Sequence, residues 1–306
     1  MTMTPDIAEQ HRARKGLAIF LTLTIIGTVP LLTAVIGSGR RVEDPAMLPF
    51  MIALMWVPAL ASFITRLVQR EGFSDVSFRV GGRSGVRAIA TALAFPAAVG
   101  FVAYGSAWLS GLAQFVVPAG GWYPGVEPGI LRFILAMTTA TIVGGLVGMI
   151  TAAGEEFGWR GYLLPRLVQA GCRWPLTVSG IIWGLWHVPA ILTGQYGAGT
   201  RPFLAAAFFL VFAVGMSVFW GTLRLRTGSV WSAVIGHAAW NAVIEGPFTS
   251  YTGGVDSGLW LGESGVLVAV VVSIAGYLMW RKLQATEPVV THADPSVSSA
   301  HGAAVR

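Results

Sequence analysis

The sequence predicts an all-α protein: a polytopic membrane bundle of about eight transmembrane helices, with both termini cytoplasmic. Three observations carry this expectation. Only 11% of the 306 residues are charged and the mean hydropathy is +0.68, whereas a soluble domain carries roughly 25% charged residues. Eight apolar runs are near or above the roughly 20 residues that cross a bilayer. The 39 Gly and 12 Trp suit a bundle in which glycine lets helices touch and tryptophan sits at the membrane interfaces. The single cysteine, Cys172, excludes an internal disulfide and a cysteine-based metal cage. The net charge of +6 comes from arginines scattered through short loops. No basic face results, so nucleic acid is not an expected partner; the bilayer is.

The first run, 16–37, follows Arg12, Arg14 and Lys15. It exceeds the roughly 7–15 apolar residues of a signal peptide and is read as a retained helix. The second run spans 46–67. The third, 88–117, contains Pro96 as a kink point. The fourth lies within 131–166 and is too long for a simple span, so it must tilt, project outside or break near Gly154. The fifth, sixth, seventh and eighth runs occupy 176–194, 202–222, 229–246 and 260–280. In this arrangement Arg40, Arg41, Arg132 and Arg201 fall on one side and the remaining sixteen of the 20 basic residues on the other. That asymmetry places both termini in the cytoplasm of a multi-pass cell-membrane protein. The chain therefore divides into N-terminal helices 1–3 (residues 1–130), a core of helices 4–7 (131–247), a last helix (248–282) and a polar tail (283–306) expected to be disordered.

Ionisable residues are rare in these runs and concentrated in one third of the chain. Glu155 and Glu156 lie in the fourth, His187 in the fifth, His237 and Glu245 in the seventh, and Glu263 at the start of the eighth. A charge at the bilayer centre costs at least about 2.5–3.5 kcal/mol, which makes each a functional candidate. Counting back from the helix ends at 1.5 Å per residue puts Glu155 and His187 roughly 16 Å deep and His237 about 12 Å deep. Three helices thus deliver Glu, His and His to one level. Asn241 sits one turn beyond His237 on the same face, and Glu245 one turn further. Arg160, four residues after Glu156, can neutralise it and leave Glu155 to face a cavity. Gly144/Gly148 and Gly154/Gly158 are small-residue pairs that permit close helix approach.

These groups form a hydrolytic set. A buried carboxylate can take a proton from water, a neutral histidine can orient that water, and His237 with Asn241 can donate to a developing oxyanion. Glu155, His187 and His237 are equally a candidate set for Zn²⁺ with one open position, although no HExxH is present. Blander roles exist: a structural ion pair for Glu156 and Arg160, a core histidine bonded to a carbonyl freed by Pro189, and an interhelical clamp for His237 and Asn241. Their coincidence at one depth favours a site. Glu245 is expected to act at the interface or in support, and Trp183, Trp186 and Trp240 to pack around the site.

The residues Gly154-Glu155-Glu156-Phe157-Gly158-Trp159-Arg160 resemble the EExxxR motif of the CPBP family, which contains the CAAX proteases and bacteriocin-processing enzymes. Trp183-Gly184-Leu185-Trp186-His187 resembles its second motif, with Trp where Phe is common, and His237-Ala238-Ala239-Trp240-Asn241 resembles its third, HxxxN. The resemblance covers roughly residues 135–247. It implies an intramembrane endopeptidase similar to type II CAAX prenyl endopeptidases, acting on a peptide or protein substrate, lipidated or not, in a cavity open to the cytoplasmic side. Carried over by position, Glu155 activates the attacking water with help from His187. His237 and Asn241 stabilise the oxyanion, and Glu156 and Arg160 support the site. Whether a zinc ion or the glutamate alone activates the water stays open. The competing readings are a non-catalytic immunity or scaffold protein that binds a peptide in the same cavity, and a proton-coupled transporter, which the lack of an internal repeat disfavours.

Overall fold

In a computed structural model the chain is described over residues 6–41, 44–119, 123, 125–197 and 201–286. It is a helical bundle, as expected. Six helices among the described residues are long and apolar enough to cross a membrane: α1 (Ile7–Gly37), α2 (Leu48–Gln69), α3 (Gly82–Ser110), α4 (Ile130–Gln169), α5 (Pro175–Leu192) and α6 (Pro202–Thr227). The seventh and eighth expected segments are helical too. α7 runs over Trp231–Trp240 and continues as a π-helical stretch over Asn241–Phe248, and α8 covers Val266–Thr286. Their lipid-facing sides are visible in exposed rows such as Ile25, Ile26 and Val29 on α1 and Leu146, Val147 and Ile150 on α4. The tail expected to be disordered begins as the last turn of α8. From residue 287 onward, His292 and His301 included, it lies outside the described residues.

Two boundaries are corrected. The third helix stops at Ser110, not at 117, because Gly111 takes a left-handed conformation at φ 79° and ends it. The chain beyond it pairs antiparallel with the segment after α7, Gln114 opposite Gly253 and Phe115 opposite Thr252. The fourth helix does not break near Gly154. Its 40 residues are relaxed instead by two π-helical stretches, Ala140–Gly144 and Trp159–Leu163. Gly154 lies inside regular helix, where a Cβ would stand 2.6 Å from the Met55 carbonyl oxygen. At Gly158 it would stand 2.6 Å from the Pro58 carbonyl carbon. This pair lets α4 press on the α2 backbone, while Gly144 and Gly148, on another face, meet Ala242 and Ala238 of α7.

The basic helix ends gather at one end of the bundle. Asp75, in the turn between α2 and α3, accepts from Arg66 of α2 and Arg166 of α4, both at 2.6 Å, and its carbonyl accepts from Arg224 of α6. Arg166 also reaches Glu71 at 2.6 Å, and Arg12 and Arg14 of α1 bond the carbonyls of Gln69 and Ala170. Burial pushes the Asp75 carboxyl up, but the Arg66 and Arg166 guanidinium groups outweigh it and hold the carboxyl below its usual range.

Candidate active site

A cavity of about 680 Å³ opens among α1, α2, α4, α5 and α7, and its lining includes Glu155, His187, His237 and Asn241. The four side chains expected to meet do line one space. Glu156, next to Glu155, does not join them. Successive residues on a helix point about 100° apart, so the two carboxylates face different surroundings.

Glu155 is 2% exposed. Its Oε2 accepts from the indole N–H of Trp183 at 2.9 Å and of Trp159 at 3.3 Å, and neither bond engages Oε1. Trp159 is one helical turn after Glu155, so this donor is set by the i,i+4 spacing within the first motif. Trp183 comes from α5. Its role differs from the packing expected of it, because its N–H holds Glu155 while its backbone carbonyl accepts from His187 Nδ1 at 3.0 Å. A carbonyl only accepts, so the Nδ1 of His187 carries the proton and the neutral ring presents a bare Nε2. The carbonyl is therefore that of Trp183, one turn back, and not one released by Pro189. Trp186 and Trp240 also donate rather than merely pack, to Thr28 Oγ1 at 2.8 Å and to Glu263 Oε1 at 2.6 Å.

Glu156 is fully buried. One oxygen, Oε1, accepts from Arg160 Nη1 at 2.8 Å and lies 2.9 Å from His237 Nδ1. The expected neutralisation by Arg160 is thus present, with His237 as a third member. The Arg160 guanidinium is itself buried, lying 4.7 Å from the centre of the Trp183 ring and 5.4 Å from that of Trp220. His237 stacks on Trp220 at 5.2 Å and 20°. Its Nδ1 thus faces a carboxylate, its ring lies flat on an indole, and Nε2 is left for the cavity. In its doubly protonated form the ring has Glu156 as counter-charge and Nε2–H as a donor.

The far wall of the cavity is acidic. Tyr196, between α5 and α6, bonds Glu245 of the π-helical stretch at 2.8 Å and also Glu263, between α7 and α8. Burial and the nearby Glu245 charge push the Glu263 carboxyl up to about 8. Glu263 is among the ionisable candidates because it stands at the start of a predicted span, but sequence reasoning attaches no specific role to it. Glu245 is exposed at the cavity rim, in keeping with its expected position near the surface.

The cavity lining draws on one end of several helices more than the other. Beyond Glu155 it is formed by the C-terminal parts of α1 and α3, the N-terminal part of α2 and the segments around 196–197, 249–252 and 257–264. All of these lie away from the end where Arg66, Arg166 and Arg224 meet Asp75. Toward that basic end lie Phe20, Trp159 and Tyr162, each fully buried, with the Phe20 ring in contact with the other two. Depth counted along a helix gives a level but does not say which end is packed shut.

Glu155, His187 and His237 were a candidate zinc set. No group of three His, Cys, Asp or Glu side chains among the described residues is arranged to hold a metal ion. Glu155 Oε2 and both Nδ1 atoms bond the partners named above, which leaves Glu155 Oε1 and the two Nε2 atoms as the donors not engaged by those bonds.

Residues 132–243 match the family described as Type II CAAX prenyl endopeptidase Rce1-like. The matched stretch runs from α4 into the π-helical continuation of α7 and contains Glu155, Glu156, Arg160, His187, His237 and Asn241. No curated protein matches the chain.

Proposed function

We propose that this chain, whose residues 132–243 match the Rce1-like type II CAAX prenyl endopeptidase family, is an intramembrane endopeptidase of that kind and uses Glu155 as its general base. The observation that carries the proposal is the division of labour between adjacent carboxylates. Glu156 is consumed by Arg160 and His237, while Glu155 is fixed by two indole donors on the wall of a cavity shared with His187, His237 and Asn241.

In the proposed cycle, Glu155 takes a proton from a water held with the help of the bare Nε2 of His187. The hydroxide formed attacks the peptide carbonyl carbon. Negative charge develops on the carbonyl oxygen, where the Nε2–H of charged His237 and the Asn241 amide donate. Glu155 returns its proton to the leaving nitrogen as the C–N bond breaks, so the residues end as they began. No step is assigned to a metal.

The positive-inside asymmetry supports cytoplasmic basic ends. On that basis the cavity receives its peptide from the opposite half of the membrane or through the bilayer. Cysteine labelling tests the side: a thiol placed at Gly197 reacts with a membrane-impermeant reagent added outside, and a thiol placed at Arg70 does not.

The protease reading is tested by Glu155→Ala, His187→Ala and His237→Ala. Each should abolish cleavage while the protein still inserts and folds. Normal turnover in all three removes the enzymatic reading.

A further inference from the structure

Tyr196 holds two carboxyl groups with one phenolic proton. It can donate to one of them only, so the other contact requires a carboxylic O–H donating to the tyrosine oxygen. Glu245, Tyr196 and Glu263 therefore share a proton and keep one negative charge on the cavity wall. Trp240 Nε1 fixes the second oxygen of Glu263 at 2.6 Å. Beside them Ser264 lines the same cavity, is 6% exposed, and has a hydroxyl with no hydrogen-bond partner. A buried hydroxyl without a partner next to a net negative charge is a donor-acceptor arrangement left incomplete by the protein itself.

We propose that Glu245, Tyr196, Glu263 and Ser264 form a specificity subsite that receives a basic side chain of the peptide substrate. The inference rests on the protease reading of the cavity. Glu245 follows His237 by eight residues, along α7 and its π-helical continuation, at most about 12 Å along the axis, or roughly three to four residues of extended peptide. The cavity lining also includes the apolar side chains of Leu32, Leu54 and Met55. The substrate class is thus a peptide with a lysine or arginine three to four residues from the bond cut and apolar residues between. An arriving ammonium replaces the shared proton as the neutralising charge and offers Ser264 a partner.

The test is binding to the full-length protein in lipid nanodiscs. The probes are nine-residue Ala/Leu peptides with one lysine at successive positions, each matched by a norleucine peptide and by an acetyl-lysine peptide. The wild type should bind the best lysine peptide at least about tenfold more tightly than either match. Glu245→Gln/Glu263→Gln should bring that ratio to about one. A wild-type ratio near one, no binding of any probe, or a ratio that survives the double substitution overturns the subsite. The acetyl-lysine comparison needs no variant, so it stands even if the double variant fails to fold. Cleavage of the same peptides reports the protease reading separately. Discrimination without cleavage keeps the subsite and refutes the protease. Cleavage of lysine and norleucine peptides alike does the reverse.

Discussion

Replacing Glu156 by Gln removes one charge and almost no volume, and the site geometry assigns it two separable costs. The first is to stability. Arg160 and Glu156 are both fully buried and 2.8 Å apart, and removing one partner of such a pair leaves a buried charge uncompensated, at a cost of about 3–5 kcal/mol. The glutamine carbonyl can still accept from Arg160, which places the expected loss at the lower end of that range. The second cost is to catalysis. His237 Nδ1 lies 2.9 Å from the same carboxylate, which is the counter-charge of the doubly protonated ring that donates to the oxyanion. A hydrogen bond to a charged group contributes about 1.5–3 kcal/mol, which at 1.36 kcal/mol per decade is roughly a 10- to 150-fold fall in kcat. The assays are thermal unfolding of purified protein in detergent and kcat on a peptide that the wild type cleaves. Glu156→Gln/Arg160→Gln should recover part of the lost stability, since the unpaired cation is gone, but not kcat. A Glu156→Gln protein with wild-type unfolding and wild-type kcat would refute the assignment of Glu156 as the shared counter-charge.

Three further outcomes follow from particular contacts. Trp183→Phe keeps a ring under Arg160 but deletes the 2.9 Å bond to Glu155, so kcat should drop about tenfold or more with little change in unfolding temperature; an unchanged kcat would assign Trp183 to packing alone. The Glu263 carboxyl is raised from 4.5 to about 8, so the folded protein binds the extra proton between these limits. Its contribution to stability is present below about pH 4 and declines as pH rises to about 8; unfolding temperatures across pH 5–9 should show a slope that Glu263→Gln flattens, and an identical slope in the variant contradicts the assignment. Because no three His, Cys, Asp or Glu side chains among the described residues are grouped to hold a metal ion, dialysis against a chelator should leave turnover unchanged, and a loss restored by Zn²⁺ would require a rearranged site.

Much of this architecture is legible in the sequence because the bilayer imposes it. Long apolar runs must be helical there, since no water satisfies their backbone groups, and charged residues inside them are too costly to be incidental. The i,i+4 spacings of Glu155 with Trp159, Glu156 with Arg160, and Trp183 with His187 each became a real contact. The spacing identifies such pairs without telling which atom donates, and so the indole N–H of Trp183 and the backbone carbonyl beside it were missed. The π-helical stretches at 140–144, 159–163 and 241–248 leave no compositional mark, because they depend on tertiary packing rather than on local propensity. The acidic wall was hidden for another reason. Tyr196 and Glu263 come from two separate connections and Glu245 from the π-helical stretch, and only the fold brings them together.

The central claim is that Glu155 activates the water that cuts a peptide bond. It is tested most directly by comparing membrane-peptide fragments from cells expressing the wild type with those from cells expressing Glu155→Ala at equal membrane levels. Fragments that appear with the wild type and vanish with Glu155→Ala, accompanied by their intact precursor, are the predicted result. Identical fragment patterns in the two would contradict it.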